Sequence, residues 1–160
     1  MKKTLVVGFG NADREDDGSA WHILSGIASR LGIPIPDAPE DGFFPEDQLI
    51  DLWYVLQLTP EMAEEMARYE RIIFVDTHTG SIPQEILLQP VEGTPSSSSF
   101  THHMTPAACL ALVSTLYKGS PEAMLLSIRG YQFGFTRELS SRTAALVSQG
   151  IDTLWAWIGA

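Results

Sequence analysis

The chain has 160 residues, 44 % of them hydrophobic, which is enough for one domain over residues 1–160 with a sizeable core. Its formal charge of −10 argues against nucleic acid and against anionic membrane surfaces as partners, because both bind basic faces. A single cysteine, Cys109, forms no internal disulfide, and its place in an apolar helical run marks it as a core residue rather than a nucleophile.

Met1-Lys2-Lys3 imitates the start of a signal peptide, but only Leu5-Val6-Val7 follow before Gly8. That run is too short for a signal core, and no segment approaches the ~18 apolar residues of a membrane span. The cytoplasm is the expected compartment. Residues 4–8 read as a buried strand. Residues 18–31 follow with Ala20, Ile23, Leu24, Ile27, Ala28 and Leu31 at helical spacing, and Gly32 is placed to stop that helix. One of Asp16 and Asp17 is expected to serve as its N-cap. Residues 33–48, rich in Pro, Gly and acids, form a loop that acts as a specificity element or is a plain insertion.

Residues 52–58 predict a second strand. Thr59-Pro60 starts a helix, Thr as N-cap and Pro in the first turn, that runs through Met62, Met66 and Tyr69. The third strand, Ile72-Ile73-Phe74-Val75, ends on Asp76. Residues 85–91 form a strand near an edge, as Pro90 requires. Residues 94–99 are low in complexity and expected to be mobile. Thr105-Pro106 repeats the helix start and leads into Leu110, Val113, Leu116 and Tyr117. A strand over 124–128 and a helix over 140–158 complete the chain. Apolar strands between amphipathic helices imply an α/β fold: a mostly parallel sheet in three layers, with helices on both faces. Function in such sheets sits beyond the C-terminal strand ends.

The first of those strands runs into Gly8-Phe9-Gly10-Asn11 and then Glu15-Asp16-Asp17-Gly18. A dinucleotide fingerprint would need a third glycine at position 13, where Asp13 would oppose the pyrophosphate. A phosphate-binding loop with Gly-Lys-Ser/Thr is absent from the sequence. Three carboxylates in a row exceed what capping requires, and carboxylates attract metal cations and do acid–base work.

Asp76 brings a second acid to the same sheet edge. Thr101-His102-His103-Met104-Thr105-Pro106 brings imidazoles just before a helix start. Adjacent histidines point in different directions, so at most one faces a given site. Each candidate has a plain alternative: Asp76 capping the turn at 77–80, a solvated loop histidine, Asn11 stabilising its own turn. His22 packs or faces solvent, and His78 is a possible auxiliary. Together, Asp17, Asp76 and His103 all follow a junction where strand gives way to loop or helix. Two carboxylates and an imidazole suit nickel or zinc better than calcium or copper(I). Such ligands would lie ~2.0–2.2 Å from a shared cation.

These residues resemble the [NiFe]-hydrogenase maturation endopeptidases. Gly8-Phe9-Gly10-Asn11 with Asp16-Asp17-Gly18 is similar to the opening G-x-G-N-x4-D-[DE]-G signature of that family. Asp76 matches its second acid, and His103 in Thr101-His102-His103-Met104-Thr105-Pro106 its histidine. The resemblance implies an endopeptidase that removes a C-terminal peptide from the hydrogenase large-subunit precursor after nickel insertion. It implies a twisted five-stranded sheet and Asp17, Asp76 and His103 as the catalytic, metal-contacting set. Nickel would arrive with the substrate, and no organic cofactor is implied. Position 17 is Asp where some members have Glu. The glycine-rich acidic loop after the second strand is replaced by Leu56-Gln57-Leu58-Thr59-Pro60, which bears on substrate recognition more than on metal contact. The sequence holds no G-x-S-x-G and no H-E-x-x-H, which disfavours serine and zincin protease chemistry. The alternatives are a non-catalytic metal-binding or chaperone-like module in metalloenzyme assembly, and a small-molecule α/β enzyme using the 8–18 turn.

Overall fold

The computed structural model describes residues 1–94 and 104–160. Five strands, β1 (Thr4–Phe9), β2 (Ile50–Val55), β3 (Arg71–His78), β4 (Ile86–Pro90) and β5 (Glu122–Arg129), form one sheet in the order β2-β1-β3-β5-β4. The first three pairings along that order are parallel, and β4 runs antiparallel at the edge beside β5. Pro90 is thus on an edge strand, where its missing N–H does least harm. Four helices, α1 (Ser19–Leu31), α2 (Met62–Met66), α3 (Pro106–Tyr117) and α4 (Ser141–Ile158), cover the two faces. None of the described helices is long and apolar enough to cross a membrane.

Strand alternation divides the core in two. Val6, Ile73, Val75, Leu126 and Ile128 pack with Ile23, Leu24 and Ile27 of α1 and Leu154 of α4. Leu5, Val7, Ile72 and Phe74 point the other way, onto Met62 and Met66 of α2 and Cys109 and Val113 of α3. Strands buried on both faces explain the unbroken apolar runs in the sequence.

Several boundaries follow their local chemistry. Gly32 closes α1 with φ 73°, a left-handed geometry that glycine adopts without penalty. Thr105 caps α3 by accepting from the Ala108 N–H at 3.1 Å, with Pro106 in the first turn. Ser140 caps α4 through the Thr143 N–H.

Three expectations are corrected. Thr59-Pro60 does not cap α2: the helix begins at Met62 with Glu61 at the N-cap, and no side chain makes a capping bond. Leu58 is drawn into the core, so residues 59–61 are spent turning the chain away from it, and Thr59 N–H meets the Met62 sulfur at 3.4 Å instead. The helix also stops at Met66, because tight turns then carry Tyr69 inward, where its hydroxyl donates to Asp51. Finally, β3 does not end at Asp76 but continues to His78, since its partner β5 pairs with it as far as Arg129.

Candidate active site

The β1/β3 boundary is where the sheet order reverses, β1 leading outward to β2 and β2 crossing back to β3. The crevice beyond strand ends at such a reversal is the usual ligand position in open α/β sheets. Asp17 and Asp76 both line a cavity of about 390 Å3 there, together with Asn11, Gln57, Leu58 and Met104. Asp76 lies one residue past the last β1–β3 pair, Gly8–Val75, and so emerges beside the end of β1.

The turn that carries Asp17 is fixed by its backbone. Gly10 has φ 143°, and a Cβ there would fall 2.4 Å from the Asp17 carbonyl oxygen, so only glycine fits. Asn11 donates its backbone N–H to Asp17 Oδ2 at 2.7 Å, while its own Oδ1 accepts from the Asp13 N–H at 3.0 Å. Asn11 therefore stabilises its turn, as expected, and its main chain also aims the acid.

The three consecutive acids have three different fates, and none is a side-chain N-cap of α1. Glu15 accepts from the Gly134 N–H at the surface. Asp16 is fully buried and saturated: it accepts from the backbone N–H groups of Tyr131, Gln132 and Ser140 and from the hydroxyls of Ser140 and Thr143. Burial alone would raise its pKa, but these bonds outweigh burial and hold its carboxyl below the usual range. Asp17 takes one bond, from Asn11, and its other oxygen has no hydrogen-bond partner among the described residues.

Asp76 is similar to Asp17 in this respect. Its Oδ1 accepts from the Thr77 N–H at 2.7 Å, and Oδ2 has no partner among the described residues. It does not cap the turn at 77–80. Burial pushes its carboxyl up to about 7; the Thr77 N–H opposes the rise, and the negative charge of Asp17 adds to it. The ionised form therefore costs stability. That cost is small at pH 4, grows as pH rises from the ordinary 3.8 towards 7, and is complete above that range. Asp76→Asn keeps the acceptor for Thr77 and removes the charge. It is expected to stabilise the protein by about 1–3 kcal/mol at pH 8 and by little at pH 4. Thermal unfolding at both pH values checks this; equal midpoints at pH 8 would mean that the carboxylate is well hydrated.

His103 and His102 lie outside the described residues, as does most of the low-complexity segment before them. Met104, which follows His103 directly, is on the wall of the acid cavity. His78 is not an auxiliary. Its Nδ1 accepts from the Gly80 N–H at 3.1 Å, so its Nε2 carries the proton and donates to the Gln84 carbonyl at 2.8 Å. Both nitrogens are thus spent on the turn after β3. His22 Nε2 faces the Arg137 carbonyl at 3.1 Å, and burial lowers its pKa. Among the described residues no group of three His, Cys, Asp or Glu side chains is placed to hold a metal. The described part of the site is a pair of carboxylates.

Cys109 is fully buried against α2 and β3, and burial raises its thiol to about 11. It is neither exposed nor a thiolate near neutral pH. Cys109→Ala is expected to cost about 1 kcal/mol of stability and to leave any activity unchanged; loss of activity in a folded Cys109→Ala protein would refute that assignment.

Leu56, Gln57 and Leu58, the start of the segment that the sequence singled out as bearing on substrate recognition, form one side of the acid cavity.

No protein-family model matches the chain, and no curated protein matches it. Solved structures do. The hydrogenase maturating endopeptidase HybD from Escherichia coli superposes with a TM-score of 0.68 at 14 % identity, covering 98 % of this chain and 91 % of that one. The hydrogenase 2 maturation peptidase from Thaumarchaeota archaeon SCGC_AB-539-E09 gives 0.65 at 19 % identity, covering 99 % of each chain. The [NiFe] hydrogenase maturation protease HycI from Thermococcus kodakarensis KOD1 gives 0.61 at 16 % identity, covering 96 % and 90 %. At these identities the likeness is one of fold, and it extends over nearly the whole chain.

Proposed function

We propose that this chain, which has the fold of the hydrogenase maturation endopeptidases, is itself such a peptidase: it removes a C-terminal peptide from the precursor of a [NiFe]-hydrogenase large subunit once nickel is in place, in the cytoplasm. The observation that carries the reading is the pair Asp17 and Asp76. Asp17 comes from the 3-10 turn after β1 and Asp76 from β3; they line one cavity, and each keeps an oxygen without a hydrogen-bond partner among the described residues.

Nickel belongs to the substrate in this reading. Asp17, Asp76 and His103 would contact it, and the donor set suits it. The physical chemistry of the pair supports a cation there: Asp76 is raised to about 7 by burial and by Asp17, and no Lys or Arg lines the cavity among the described residues. A bound cation supplies positive charge that favours both carboxylates in their ionised form and polarises nearby oxygens. The chain's own contribution is orientation. The Asn11 and Thr77 N–H groups fix one oxygen of each acid and leave the other turned to the incoming substrate. Two acids and one histidine make an incomplete coordination sphere, so affinity for the precursor depends on the metal it carries, and the nickel-free precursor is discriminated against by bonds it does not make.

Intact-mass measurement of the nickel-loaded precursor, before and after incubation with the protein, tests the reading. The expected result is loss of one C-terminal peptide. An unchanged mass with stable complex formation would favour the non-catalytic binding module. The two histidines give a finer test. At most one of two adjacent histidines is expected to face a given site. His103→Ala is expected to abolish cleavage and His102→Ala to impair it at most mildly. The reverse pattern would shift the nitrogen ligand by one position, and two fully active variants would remove it from the mechanism.

A further inference from the structure

A second cavity, of about 370 Å3, adjoins the acid cavity and shares Gly10, Asn11 and Leu56 with it as a common wall. Its far side is the loop between α1 and β2, where a 3-10 turn, Pro39–Asp41, precedes Gly42, Phe43 and Phe44. Phe43 is buried, with its ring centroid 5.2 Å from that of Trp21, and Trp21 lies equally close to Tyr54. The Phe43 carbonyl accepts from the Tyr54 N–H at 3.0 Å, and the Tyr54 hydroxyl donates to the Gly10 carbonyl at 2.5 Å. The loop is thereby fastened both to β2 and to the turn that carries Asp17.

Phe44, the next residue, stands on the cavity wall 63 % exposed, and Leu56 faces the same space 65 % exposed. Fold stability does not call for either side chain to be apolar. The polar rim is already committed: Arg137 pairs with Asp13 at 2.6 Å and with Glu40 at 2.9 Å. Two carboxylates against one guanidinium leave that rim negative, as the neighbouring acid cavity is.

We propose that this trough is a specificity subsite of the peptidase, and that Phe44 and Leu56 hold an uncharged apolar side chain of the precursor's C-terminal segment next to the scissile bond. The inference rests on the endopeptidase reading. The occupant is the substrate chain itself, because a segment whose backbone passes Asn11 on leaving the acids enters the trough directly through their common wall. The net negative rim disfavours an acidic residue there, and the apolar walls favour a branched or aromatic one. The 33–48 loop is then a specificity element rather than a plain insertion.

The test uses nickel-loaded precursor with the wild type, Phe44→Ser, Leu56→Ser and the double variant. Both residues are exposed, so unchanged thermal midpoints are expected. The double variant is expected to raise KM about tenfold or more with kcat within about twofold, the signature of lost binding away from the reacting bond. Apolar residues flanking the cleavage site of the precursor are changed singly to Asp as the complementary arm. One of these changes is expected to weaken wild-type cleavage by a similar factor and to have much less effect on the double variant. A double variant with wild-type KM overturns the subsite while the endopeptidase reading stands. Wild-type protein that neither cuts nor binds the precursor overturns that reading, and the subsite with it.

Discussion

Asp17→Asn and Asp76→Asn are each expected to abolish precursor processing, a loss of at least ~100-fold, while leaving the protein folded. The two changes are nearly isosteric. Asn at 17 still offers an oxygen to the Asn11 N–H, and Asn at 76 one to the Thr77 N–H, so the local backbone keeps its bonds. What is lost is the charge that faces the cavity. Both variants should bind nickel-loaded precursor more weakly, because an amide is a poorer partner for a cation than a carboxylate. Asp76→Asn should combine loss of activity with a gain in stability above neutral pH, since it removes a charge that burial and Asp17 both disfavour. A folded Asp76→Asn protein that cuts at the wild-type rate would remove the second acid from the chemistry.

Asp16→Ala has the opposite character. It leaves three backbone N–H groups and the Ser140 and Thr143 hydroxyls facing a fully buried position without their acceptor. Stranding donors around an excised buried charge costs about 3–5 kcal/mol. Against a total stability of roughly 5–15 kcal/mol this threatens the fold, and the thermal midpoint should fall on the order of 10 °C. The segment between β5 and α4 should loosen first, because the Asp16 carboxylate is the fully buried anchor among the bonds that tie residues 131–143 to the β1 turn. Asp16 also contributes to pH dependence. Its folded pKa lies below 3.8, so its stabilisation is complete above that value and fades as pH falls through the lower folded value. Asp16→Asn should therefore flatten the acid limb of the stability curve. Thermal unfolding of the two variants from pH 2 to 7 decides the matter; an Asp16→Ala protein as stable as wild type would mean that water replaces the carboxylate.

The contrast between Asp16 and its neighbour marks how far the sequence alone can be read. Gly32, Thr105-Pro106 and Ser140 close or open helices through chemistry contained within a few residues, and strand and helix patterns of that kind suffice for the α/β class and for the layers. Thr59-Pro60 carries the same signal as Thr105-Pro106 but does not cap, because burial of Leu58 sets the direction of the chain there. The 15–17 cluster was legible as a candidate site, yet its division of labour was not. Asp16 is claimed by donors more than a hundred residues away, and that claim leaves Asp17 as the acid turned to the cavity. His78 looked available from its position and is instead consumed by Gly80 and Gln84. The composition of residues 33–48 marked a loop of possible specificity, but not the trough beside the acids, which forms only when Phe43 docks on Trp21 and Phe44 lines the cavity.

The account stands most directly on whether cleavage reads the metal. One precursor preparation, split into a nickel-loaded half and a nickel-free half, is incubated with the wild-type protein, and the C-terminal mass of each is followed over time. The account predicts that the nickel-loaded precursor loses a single C-terminal peptide while the nickel-free precursor keeps its full mass. Equal cleavage of both halves, or of neither, would contradict it.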